Sequence, residues 1–144
     1  VYKKIVVALD ESKEAKRALE SAIGLADRLE AGLTIITVSE PLPSYAGFID
    51  AEIPGARQKL LEERNAFYCD LQKAGVAQAT AAGIQTKAVI VEGDEVQSIV
   101  DHIAANDIDL LVIGRRHHAT MSRLWGGTVH NIAEKSRCSI LAVY

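Results

Sequence analysis

Short aliphatic runs alternate along this chain with stretches whose apolar residues recur every three or four positions. That alternation leaves few architectures open. Ile5 to Leu9 (IVVAL) is a continuous apolar run and reads as a strand buried on both faces. Ser12 can cap the segment that follows. There Ala15, Ala18, Leu19, Ala22, Ile23, Ala26 and Leu29 fall at helical spacing, with Gly32 just past the end. Leu33–Val38, Thr86–Val91, Leu110–Ile113 and Ile140–Val143 predict the remaining strands. A helix should start near Gly55 and end by Gly83, with Ala56, Leu60, Phe67, Leu71 and Ala74 on its apolar face and Gly75 breaking the pattern. Asp94 with Gln97 resembles a capping box ahead of a stripe of Val96, Ile99, Val100, Ile103 and Ala104. Val129, Ile132 and Ala133 line a short last helix. Five strands alternating with four helices predict one α/β domain over residues 1–144, an open, mostly parallel sheet with helices on both faces. Such sheets take ligands at the carboxyl ends of their strands, where the strand order reverses. Asp10, Val38, Glu92 and Gly114 fall at or beside those ends.

Composition removes several function classes. The net charge of −3 offers no strong attraction to nucleic acid or an anionic membrane. No apolar run approaches the ~18 residues of a membrane span. Asp10 and Glu11 stop the first run too early for a signal peptide, so a cytoplasmic protein is expected. Cys69 and Cys138 lack metal-ligand spacing and read as two reduced thiols. Aromatic residues make up only 5% of the chain, which suits an aliphatic sheet packed between helices. Pro41, Pro43, Pro54 and Gly47 mark residues 39–54 as a long loop of the functional or mobile kind.

The stretch from Asp109 to Val143 carries the chemistry. It reads as a strand, a basic loop, a glycine pair, a short helix and a last strand. The N–H groups of a helix start have no intrahelical partners, and the helix dipole favours negative charge there. Arg115, Arg116 and Arg123, with His117 and His118 between them, add positive charge beside that start. A nucleotide phosphate is the natural guest. Trp125 would anchor the loop against the sheet edge. Neighbouring histidines seldom converge on one metal, so His117, His118 and His130 do not read as a metal centre. Ser12, His117 and Asp10 lack the G-x-S-x-G elbow of a hydrolase. A G-x-G-x-x-G and a Walker loop are both absent. Asp10, Glu11 and Glu92 imitate the acids of a phospho-acceptor domain, but no lysine follows the fifth strand. His102 is expected on the surface.

The order and spacing of these segments resemble the universal stress protein family. The resemblance runs through KIVVALDES at 4–12, LTIITVSEPLP at 33–43, VEGDEVQSIVDHIAANDIDLLVIG at 91–114 and GGTVHNIAEKSRCSILAV at 126–143. It implies a Rossmann-like sheet. The ATP-binding members of the family carry G-x2-G-x9-G-[S/T]. Here Gly114 matches the first glycine, and Gly127 with Thr128 matches the last pair. The resemblance implies Asp10 at a ribose, Val38 meeting adenine through its main chain, and Ala8, Leu9 and Ile113 around the base. It implies Gly114, Gly127, Thr128 and Val129 cradling phosphates, often with a divalent cation such as Mg²⁺. The departure is His117, an imidazole in place of the middle glycine, which could obstruct a phosphate or donate a hydrogen bond to one.

Two functions follow. In the first, the chain binds ATP or a related adenine nucleotide and signals to a protein partner, with hydrolysis slow at most. In the second, His117 has disabled the nucleotide site and the chain is a nucleotide-free interaction module. The resemblance implies a homodimer through Ile140–Val143 in either case, because a short apolar edge strand pairs readily.

Overall fold

In the computed structural model, which describes residues 1–115 and 127–144, the five aliphatic runs lie in one sheet. They form β1 (Lys4–Ala8), β2 (Gly32–Ser39), β3 (Thr86–Glu92), β4 (Leu110–Gly114) and β5 (Ser139–Val143). Every pairing is parallel and the order is β3-β2-β1-β4-β5. The helices are α1 (Lys13–Leu29), α2 (Ala46–Glu52), α3 (Ala56–Ala81), α4 (Glu95–Asn106) and α5 (Thr128–Lys135).

The unbroken apolar character of the strands follows from helices on both sides of the sheet. Ile5, Val7, Leu33, Ile35, Leu110 and Val112 point to one face, where they pack with α1 and with Leu71, Val76 and Ala79 of α3. Val6, Ile36, Leu111 and Ile113 point to the other face, against Ile99 and Ile103 of α4 and Ile132 of α5. Each aliphatic side chain fully buried this way stabilises the fold by roughly 1.5–3 kcal/mol.

Several local expectations meet competing physics. The Ser12 hydroxyl does cap α1, accepting from the Ala15 N–H at 3.1 Å. The left-handed residue that ends α1 is Glu30 (φ 52°), and Gly32 instead opens β2. Asp94 caps α4 by accepting from the Gln97 N–H at 3.0 Å, but the Gln97 amide turns to Asp101 at 2.8 Å, so the box is one-sided. Residues 39–54 are not a plain loop, because α2 occupies Ala46–Glu52 within them.

The inward face of α3 is also displaced from the expected one. Leu60 and Phe67 are exposed, while Gln72, Gly75 and Ala79 are the buried residues. A Cβ at Gly75 would come within 2.9 Å of Leu9 Cδ2 and 3.3 Å of Ile35 Cδ1, so this glycine lets α3 approach the sheet closely. The Gln72 amide then reaches the Val89 carbonyl of β3 at 2.6 Å. His102 is half-buried, not a free surface residue. Its Nε2 is shielded from solvent without a partner among the described residues, and burial lowers its pKa. Burial likewise raises the pKa of the half-buried Cys138 thiol, while Cys69 is exposed; both thiols are free.

Candidate functional site

β1 turns away from the sheet before its neighbour β2 does, and that difference opens a crevice. Leu9 still donates its N–H to Ile36 O at 2.9 Å, and the buried Thr37 hydroxyl donates to Leu9 O at 2.9 Å. On the other side, Gly93 N–H donates to Ser39 O at 3.0 Å. Main-chain groups of successive strand residues point alternately to the two neighbours. Ile36 faces β1 and Ser39 faces β3, so Val38 directs its N–H and C=O toward the β1 side, beyond the point where β1 has ended.

The cavity there holds about 610 Å³, within the roughly 300–1,000 Å³ of small-molecule sites. It lies where the strand order reverses, with β2 on one side of β1 and β4 on the other. The end of β1 contributes Ala8, Leu9 and Asp10, and β2 contributes Val38. Ile113, Gly114 and Arg115 come from the end of β4, and Gly127, Thr128 and Val129 from the start of α5. The structure therefore brings ten of the sequence-derived candidates around one space. Arg116, His117 and Arg123, together with His118, Trp125 and Gly126, lie outside the described residues.

Asp10 has two duties. Its Oδ1 accepts the Ser12 N–H at 2.8 Å, which shapes the turn into α1, and the residue also lines the cavity. The two glycines differ more sharply. A Cβ at Gly114 would stand 2.5 Å from the Glu14 carbonyl carbon and 2.7 Å from the Ala15 nitrogen. Its bare backbone is what lets the first turn of α1 cross β4. At Gly127 a Cβ would meet no described atom within 4 Å, and the backbone (φ −76°, ψ 171°) suits any residue. Gly127 itself lines the cavity. Gly127 caps α5 without a side-chain hydrogen bond, so the first N–H groups of that helix receive nothing from the cap side chain.

Other polar residues that line the cavity include Glu40, Tyr68 and Glu95, which the sequence did not single out, and His130, which the sequence offered only as an unconvincing metal ligand. Glu40 directly follows β2, and the rule that ligands gather at strand carboxyl ends points to it. Tyr68 shares the inward face of α3 with Gln72 and Gly75, at helical spacing that the larger apolar residues Leu60 and Phe67 obscure. Glu95 opens α4. His130 lies in the first turn of α5, with its Nε2 3.3 Å from Glu134 on an exposed surface. Among the described residues no group of three His, Cys, Asp or Glu is placed to hold a metal ion. Nor is any described helix long and apolar enough to cross a membrane.

Residues 1–144 match the family model for the universal stress protein family. The chain belongs to the universal stress protein family. A universal stress protein A homolog from Haemophilus influenzae is 33% identical over 129 residues, covering 89% of this chain and 86% of its own. Among solved structures, universal stress protein UspA from Lactobacillus plantarum superposes with a TM-score of 0.82 at 23% identity, covering 99% of this chain and 98% of that one. A universal stress protein in complex with cAMP gives 0.77 at 26% identity, covering 99% and 97%. The parallel five-stranded α/β architecture is the one these universal stress proteins share.

Proposed function

We propose that this universal stress protein binds an adenine nucleotide in the crevice beyond β1 and works by binding and partner signalling, not by rapid turnover. The observation that carries the reading is the open space above Gly127. A helix start capped by a glycine and lining a nucleotide-sized cavity suits an anion. The outward-facing peptide of Val38 supports an adenine contact, with Ala8, Leu9 and Ile113 as the apolar walls of the base pocket. Asp10 suits the ribose hydroxyls. Gly127, Thr128, Val129 and Arg115 suit the phosphates, and Mg²⁺ would arrive with a polyphosphate. The relative in complex with cAMP supports an adenine nucleotide over other anions. Gly114 serves the same end indirectly, by seating α1 against β4. A homodimer through β5 and a cytoplasmic role belong to the same proposal.

The thermal midpoint tests it. Ligand at ~100 times its Kd stabilises a protein by about 2.7 kcal/mol, a rise of several degrees for a chain of this size. Millimolar ATP with Mg²⁺, and AMP alone, are expected to raise the midpoint, and inorganic triphosphate is not. No rise with either nucleotide would overturn the reading and favour the nucleotide-free module that His117 suggests.

A further inference from the structure

Tyr144 stands just past β5, largely exposed, and the sheet brings it beside Arg115 at the cavity wall. The main-chain N–H of Arg115 donates to Val143 O at 2.7 Å, so the β4–β5 ladder continues one step beyond Gly114 and Val143. That step sets Tyr144 beside Arg115. The Arg115 guanidinium then lies over the Tyr144 ring, 5.7 Å from its centroid. A second cation, Arg17 of α1, lies 5.9 Å from the same centroid. Arg17 is in turn 3.9 Å from Glu14, the residue whose backbone presses on Gly114. An arginine that heads a loop ordinarily spreads over many rotamers in water. Here an aromatic face attracts the guanidinium and limits where it can go.

We infer that Tyr144 is a positioning residue for the anionic end of the ligand, holding Arg115 at the cavity wall where a phosphate would enter. The inference rests on the adenine-nucleotide reading above. The hydroxyl of Tyr144 plays no part in it; the ring does. Adenosine, which lacks the phosphate, should be indifferent to Tyr144.

Calorimetric titration of the full chain with AMP and with adenosine separates the possibilities. Tyr144→Ala is expected to weaken AMP by about two- to five-fold, the range of a partly exposed cation–π contact, and to leave adenosine unchanged. Tyr144→Phe should match the parent protein for both ligands. In an Arg115→Ala background, Tyr144→Ala should add no further loss of AMP affinity. An unchanged ratio of AMP to adenosine affinity in Tyr144→Ala would overturn the inference. Equal losses in Tyr144→Phe and Tyr144→Ala, or additive losses in the double variant, would also overturn it. A parent protein that binds neither ligand would bring down the nucleotide reading itself, and this inference with it.

Discussion

Gly114 and Gly127 close the two ends of one sequence pattern, and their surroundings differ in kind. At 114 a methyl group would strike the backbone of Glu14 and Ala15, which cannot swing aside as a side-chain tip can. Gly114→Ala is therefore expected to cost about 1–3 kcal/mol as α1 is pushed off β4. Chemical denaturation would show it as a lower midpoint without ligand present. At 127 an added Cβ meets no described atom within 4 Å, so Gly127→Val is expected to keep the parent's stability and lose the nucleotide-induced rise in thermal midpoint. A Gly127→Val protein that still binds ATP as tightly as the parent would refute the placement of the phosphates. His102 makes a separate prediction about pH. Burial holds its folded pKa below the ordinary histidine value of 6.5, so the unfolded chain takes up a proton more readily. Its contribution to stability is therefore complete above about 6.5 and is lost as pH falls toward the lowered folded value. His102→Leu should show a shallower loss of stability than the parent between about pH 7 and 5. Equal slopes in the two proteins would remove His102 from the acid response.

At the scale of elements, legibility followed how directly the sequence encodes burial. The strands of a two-sided parallel sheet are apolar at almost every position, so IVVAL and LLVI announce themselves, with no end off by more than one residue. The Ser12 and Asp94 caps were legible because a short polar side chain beside a helix start has few other uses. α3 was harder. Its 26 residues are longer than the sheet they cross, so its first half carries Leu60 and Phe67 into solvent and a stripe drawn through the largest side chains misses the inward face. The contact surface is instead set by small and polar residues, Gly75 and Gln72, which hydrophobic periodicity does not weigh. The same displacement hid Tyr68. α2 was illegible because seven residues among prolines carry too little periodicity to register. In the cavity, Asp10, Val38 and Gly114 were legible from topology and Gly127 from the glycine pair at a helix start, while Ala8, Leu9, Ile113, Thr128 and Val129 came through the family resemblance. Glu40 lies two residues beyond Val38, and His130 one residue beyond Val129. Arg116, His117 and Arg123 fall outside the described residues.

The whole molecule leaves two sheet edges, β3 and β5, and they are not equivalent. β3 carries Lys87 and Glu92, and the Gln72 amide engages its Val89 carbonyl. Charged side chains on an edge strand discourage pairing with another chain. β5 reads Ser-Ile-Leu-Ala-Val, with no charge, and Leu141 on it is 39% exposed. Self-pairing about a two-fold axis would bring each β5 beside its copy and bury Leu141 twice over. This difference between the edges is what supports β5 in the homodimer proposed above. Leu141→Lys places two ammonium groups in one apolar interface and should leave a monomer at concentrations where the parent sediments as a dimer. Ile90→Lys, at an equally exposed position on β3, should leave the dimer intact. Sedimentation velocity reads both, with circular dichroism confirming that each variant is folded. Dissociation by Ile90→Lys with Leu141→Lys still dimeric would move the interface to the opposite edge. A parent that sediments as a monomer would remove the interface altogether.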